Sequence, residues 1–67
     1  MHILTVSPEM DLHYDEFTDE YIVVSEDGRE CRLRDDAAIR LEFAIAAAMR
    51  DGLNFDAAAV KAAQLFL

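Results

Sequence analysis

The sequence predicts an α+β fold, a small antiparallel sheet packed against two C-terminal helices at 36–51 and 55–67. Three observations lead there. Asp27-Gly28 stands between the run Tyr21–Val24, rich in β-branched and aromatic residues, and a second run in which Cys31 and Leu33 alternate with charged residues, a strong hairpin signal. A long alanine-rich segment begins after Asp35-Asp36 and stops at Gly52. A second alanine-rich segment follows the short link Leu53-Asn54. At 67 residues the chain makes one domain, 1–67, with a core that is marginal on its own.

The hairpin covers 21–34. With Asp27 and Gly28 taken as a two-residue turn, Glu26 faces Arg29, Val24 faces Cys31 and Ile22 faces Leu33. Ile22, Val24, Cys31 and Leu33 then form an apolar face, and Tyr21, Val23, Ser25, Glu30, Arg32 and Arg34 a wetter one. Residues 2–6, "HILTV", read as a strand beside the hairpin.

In the first helix Asp35 or Asp36 serves as cap, Arg50 lies in the last turn and Gly52 ends it. Its helical wheel carries two apolar stripes. Leu41, Ile45, Ala48 and Met49 form one; Ile39, Phe43 and Ala46 form the other, with Glu42 between them. Such a helix is expected to be covered on two sides, leaving Arg40, Ala47 and Asp51 to solvent. In the second helix Asn54 or Asp56 is the cap, and Phe55, Ala59, Val60, Ala63, Phe66 and Leu67 make the apolar arc.

Residues 8–19 admit two readings. Ser7-Pro8-Glu9 is a good helix start, which puts Met10, Tyr14 and Phe17 on one buried face, with core packing expected for Phe17. Met10, Leu12 and Tyr14 also alternate as in a strand. The helix is slightly favoured. It would set Asp11, Asp15 and Asp19 on one ridge and Glu9, Glu16 and Glu20 on another.

Charge is the most unusual feature. Of 14 acidic residues, eight lie between Val6 and Gly28 with no Lys or Arg among them. From Arg29 onward six acids balance six bases, so the net charge of −8 comes from the N-terminal part. In either conformation the acids are expected to crowd one end of the molecule. Acidic runs often do no more than keep a small protein soluble. Here the absence of interleaved bases and the aromatics Tyr14, Phe17 and Tyr21 favour a recognition surface. Glu9, Asp11, Tyr14, Asp15, Glu16, Asp19, Glu20 and Tyr21 are its candidate partner-binding residues. Its natural complement is a protein with a basic, nucleic-acid-binding groove. Direct binding to DNA, RNA or an anionic membrane is disfavoured by the same charge.

Other chemistry finds little footing. One cysteine, Cys31, allows no intrachain disulfide, and with His2 and His13 it makes a poor zinc set. No EF-hand spacing is present, and a chain of this size hardly builds a glycosidase cleft. Cys31 reads as a small hydrophobe, and His13 is given no role. The expectation is a non-enzyme without metal or cofactor. With neither a signal-peptide pattern nor a membrane-length apolar run, the expected location is the cytoplasm.

Short length, strong acidity and a compact α+β pattern, with the acids from Glu9 to Glu20 beside the hairpin 21–34, resemble the phage-encoded inhibitors of bacterial defence, in particular anti-CRISPR proteins. The likeness is one of general character and rests on no sequence motif. It implies an inhibitor that occupies a positively charged DNA- or RNA-binding surface of a CRISPR effector subunit, in the host cytoplasm. The neutral C-terminal half departs from uniformly acidic mimics. The alternative is an assembly or antitoxin-type module. Its apolar helix faces would form a homodimer or dock on a larger protein, and the acids would only solubilise.

Overall fold

A computed structural model of the chain describes residues 3–7 and 12–67. Four strands, β1 (Ile3–Ser7), β2 (Leu12–Asp15), β3 (Glu20–Val24) and β4 (Glu30–Leu33), precede two helices, α1 (Asp36–Arg50) and α2 (Phe55–Gln64). The strands form an antiparallel meander in the order β1-β2-β3-β4. The α+β expectation holds, and both helices lie within its bounds.

The segment expected to begin a helix at 8–19 is instead, over its described part, a strand and a tight turn. Leu12 and Tyr14 point to the helix side of the sheet and His13 and Asp15 away from it, the alternation of a half-buried strand. The turn 16–19 closes with the Asp19 amide donating to the Asp15 carbonyl at 2.9 Å. Asp19 sits there at φ 58°, a left-handed conformation that Asp tolerates better than most residues. A helix would have lined up three like-charge i,i+4 pairs. The strand avoids those rows. Residues 8–11, including Glu9, Met10 and Asp11, lie outside the described residues.

The first strand exists, but its neighbour is β2 rather than the hairpin. The hairpin itself is shifted by one residue from its predicted pairing. Tyr21 faces Leu33, Ile22 faces Arg32, Val23 faces Cys31 and Val24 faces Glu30. The cause is a three-residue loop. Gly28 donates to the Ser25 carbonyl at 2.9 Å, adopts φ 87°, and lets the Ser25 amide reach the Arg29 carbonyl at 2.8 Å. A turn followed by a left-handed glycine is a favoured three-residue hairpin connection. One added loop residue turns β3 over relative to β4. Tyr21 and Val23 therefore face the helices beside Cys31 and Leu33. Ile22 is buried on the opposite face and does not join the helix-side cluster.

That cluster joins Leu12, Val23 and Leu33 of the sheet to Leu41, Ile45 and Ala48 of α1 and Ala58, Ala59, Ala62 and Ala63 of α2. The four alanines bring the α2 backbone close to its neighbours, and Phe66 packs on the rim. At the end of α1, Gly52 (φ 103°) donates to the Met49 carbonyl at 3.0 Å and Leu53 to the Ala48 carbonyl at 3.2 Å. This Schellman arrangement satisfies carbonyls that the helix leaves open. Asn54 then caps α2, its Oδ1 accepting from the Ala57 amide at 2.8 Å.

Only one of the two predicted stripes of α1 is covered within the chain. Leu41, Ile45 and Ala48 are buried, whereas Ile39 is 49% and Phe43 67% exposed, and Met49 is also exposed. The turn residue Phe17, expected in the core, is 76% exposed. No helix among the described residues is long and apolar enough to cross a membrane.

Candidate functional site

The meander distributes the acidic residues. Its turns alternate between the two ends of the sheet, so Glu16 and Asp19 lie at one end and Glu26 and Asp27 at the other. The described acids are thus not crowded at a single end. Asp27 is engaged locally, with the Ser25 hydroxyl donating to its carboxylate and Arg29 Nε at 2.9 Å. The Ser25 bond and the Arg29 amide hold its carboxyl below the usual range.

Two further candidates face each other across β2 and β3. Asp15 and Glu20 are directly paired, both 9% exposed, on the face away from the helices. Arg32 Nη1 lies between them, 3.3 Å from Asp15 Oδ2 and 3.1 Å from Glu20 Oε1. Burial pushes the Asp15 carboxyl up, but bonds from Arg32 and from Phe17 and Thr18 outweigh it and hold it below its ordinary value. Glu20 is held low by the Thr18 side chain and Arg32 against the opposing effect of burial. Bonds to Asp15 and Glu20 raise Arg32 in turn. The charge of this pair is largely spent inside the chain.

The remaining candidates meet in a groove. β4 ends beside the 16–19 turn, so Arg34, Asp35 and the first turn of α1 arrive at the same end of the sheet as Glu16 and Asp19. Between them opens a cavity of about 780 Å³ lined by Thr5, Val6, Tyr14, Thr18, Asp19, Tyr21, Arg34, Asp35, Ala38, Ile39 and Glu42. Tyr14 and Tyr21 face each other across β2 and β3, with ring centroids 5.1 Å apart and planes inclined by 55°. Each hydroxyl donates to a carboxylate. Tyr14 reaches Asp19, and Tyr21 reaches Glu42 Oε2 at 2.9 Å. The bond to Asp19 raises the Tyr14 phenol, while burial, followed by Glu42, pushes Tyr21 up to about 12.

The sequence does not single out Glu42 and Asp35, because charge in the C-terminal half balances on average. Their value is positional. Glu16, Asp19, Asp35, Asp36 and Glu42 stand at this end with two bases, Arg34 in the groove lining and the exposed Arg40 on α1, and Arg34 Nε leans toward Glu20 at 4.0 Å. A shallower cavity of about 340 Å³ adjoins through Ile39 and Glu42 and adds Phe43 and Ala46. Tyr14, Asp19 and Tyr21 are thus brought together with Glu16 nearby, while Asp15 and Glu20 are set apart on the other face. Among the described residues no three His, Cys, Asp or Glu side chains gather in a form that could hold a metal ion.

No protein-family model matches the chain, and comparison with curated proteins and with solved structures gives no match.

Proposed function

We propose that this protein is a small acidic inhibitor that docks on a basic, nucleic-acid-binding surface of another protein. The observation that carries the reading is the convergence of Glu16, Asp19, Asp35, Asp36 and Glu42 at one end of the sheet, beside the exposed apolar side chains of Phe17, Ile39 and Phe43. Carboxylates steer the encounter and exclude like-charged nucleic acid from the covered surface. Aromatic and aliphatic side chains add desolvated contact area, from which most binding energy comes. A CRISPR effector subunit is the partner that the resemblance to anti-CRISPR proteins nominates, and it is the first to test.

The test compares the native chain with a variant carrying Glu16→Gln, Asp19→Asn, Asp35→Asn and Asp36→Asn. Native protein should bind a purified effector subunit and displace its DNA or RNA in a gel-shift assay, less well as salt rises. The variant should fold and fail to displace. Equal, salt-insensitive binding by both proteins would overturn the acidic reading.

A second reading rests on the uncovered α1 stripe. Ile39, Phe43 and Ala46 present an apolar helix face next to the shallow cavity, suited to self-association or helix docking. In that case Phe43→Ser would abolish binding while the charge variant kept it.

A further inference from the structure

We propose that the groove between the Tyr14–Tyr21 pair and the start of α1 receives an arginine side chain projecting from the partner's basic surface. This inference rests on the acidic-docking reading and specifies its central contact. The groove suits an elongated cation better than a neutral or anionic group. Asp19, Asp35 and Glu42 line it against one base, Arg34, which is itself drawn toward Glu20. The tyrosine hydroxyls each occupy one acceptor position on Asp19 and Glu42. These bonds orient the carboxylates and leave further lone pairs for an incoming donor.

The choice of arginine follows from what stands between the charges. Two tyrosine rings line the cavity, and a planar, weakly hydrated guanidinium stacks on aromatic surface more readily than an ammonium does. Its donors lie in a fork that can engage a carboxylate through two parallel bonds. The methylene stem would run along Ile39. At about 780 Å³ the cavity is roomy enough for the side chain and part of the backbone that carries it.

The probe is acetyl-Gly-Arg-Gly-amide, compared with the same peptide carrying lysine or neutral citrulline. Binding is read from the Tyr14 and Tyr21 ring resonances by NMR. The arginine peptide should give saturable shifts that weaken with salt, the lysine peptide smaller ones and the citrulline peptide none. Glu42→Gln should weaken arginine binding by about ten-fold, the scale of one charge-assisted hydrogen bond. Glu26→Gln with Asp27→Asn, at the far end of the sheet, should leave it unchanged. Glu42 is exposed, and a melt that stays cooperative confirms that its variant folds.

Absence of any shift at millimolar peptide, equal shifts with citrulline, or insensitivity to Glu42→Gln would overturn the inference. If the native chain still displaced nucleic acid from its target in that case, the docking reading would stand and only the groove contact would fall. Arginine binding without displacement from any target would keep the groove contact and remove the inhibitory reading.

Discussion

Tyr21 and Glu42 are 21 positions apart in sequence, yet the Tyr21 hydroxyl donates to Glu42 Oε2 at 2.9 Å and ties the centre of the sheet to the exposed side of α1. With burial and this carboxylate raising the phenol to about 12, the unfolded chain gives up the Tyr21 proton first as pH rises, near its ordinary value of about 10. The contribution to stability is complete below about pH 10 and is lost as pH climbs toward 12. Ultraviolet titration of the phenolates should therefore show a tyrosine ionising well above the usual range. Glu42→Gln should lower that midpoint and flatten the alkaline fall in stability.

Arg32 holds Asp15 and Glu20 together on the other face. Both carboxyls are depressed, so their contribution is present above the unfolded carboxylate range, about pH 4, and drains away as pH falls through the lower folded values. Arg32→Met leaves two like charges directly opposed across β2 and β3. Its melting temperature at neutral pH should drop by several degrees. The deficit should narrow toward pH ~4, where one carboxyl of the unrelieved pair takes up a proton. A parallel pH profile for native and variant proteins would contradict this account.

The two stripes of α1 should respond differently to mutation. Leu41 is fully buried, and Leu41→Ala should cost about 2–5 kcal/mol in denaturant titrations. Phe43, 67% exposed, should tolerate Phe43→Ser within about 0.5 kcal/mol. A large, concentration-dependent loss in the Phe43 variant would instead show that the stripe is covered by a second copy.

The helix starts also differ in kind. Asn54 makes a side-chain cap bond, so Asn54→Ala should destabilise by about 1 kcal/mol. Asp35 makes no side-chain cap bond and sits at φ 52°. Its ψ of −123° lies outside the left-handed helical region, in backbone space that glycine alone adopts freely. Asp35→Gly should therefore stabilise the protein, because relief of about 1–3 kcal/mol of strain exceeds the ~0.5–1 kcal/mol of added unfolded-chain entropy, read from chemical denaturation.

Gly28 closes the hairpin loop at φ 87° with open space where a Cβ would project. Gly28→Ala should therefore cost about 1 kcal/mol through the backbone alone, without a clash. Its denaturation midpoint should shift while the slope stays that of the native chain.

The helices and hairpin were legible because their signals are local. The Asn54 cap, the Gly52 stop and the β-rich run before Asp27-Gly28 each specify their own neighbourhood. Register was not legible. Tyr21, Ile22, Val23 and Val24 are all apolar or amphipathic, so alternation along β3 could not choose between faces, and the choice fell to one extra loop residue. Residues 12–19 failed for a related reason. Leu12 and Tyr14 suit a strand, Tyr14 and Phe17 suit a helix, and only pairing on both sides of β2 decided between them.

By itself, the sequence determined the α+β class and the charge asymmetry. Tertiary structure decided where the acidic and aromatic side chains stand. It placed Asp15 and Glu20 around Arg32, because adjacent strands oppose residues that the chain keeps apart. It also brought Asp35 and Glu42 from a neutral half of the chain to the rim of a tyrosine-lined groove. Net charge is a sum over sequence, whereas a binding surface depends on where each charge stands.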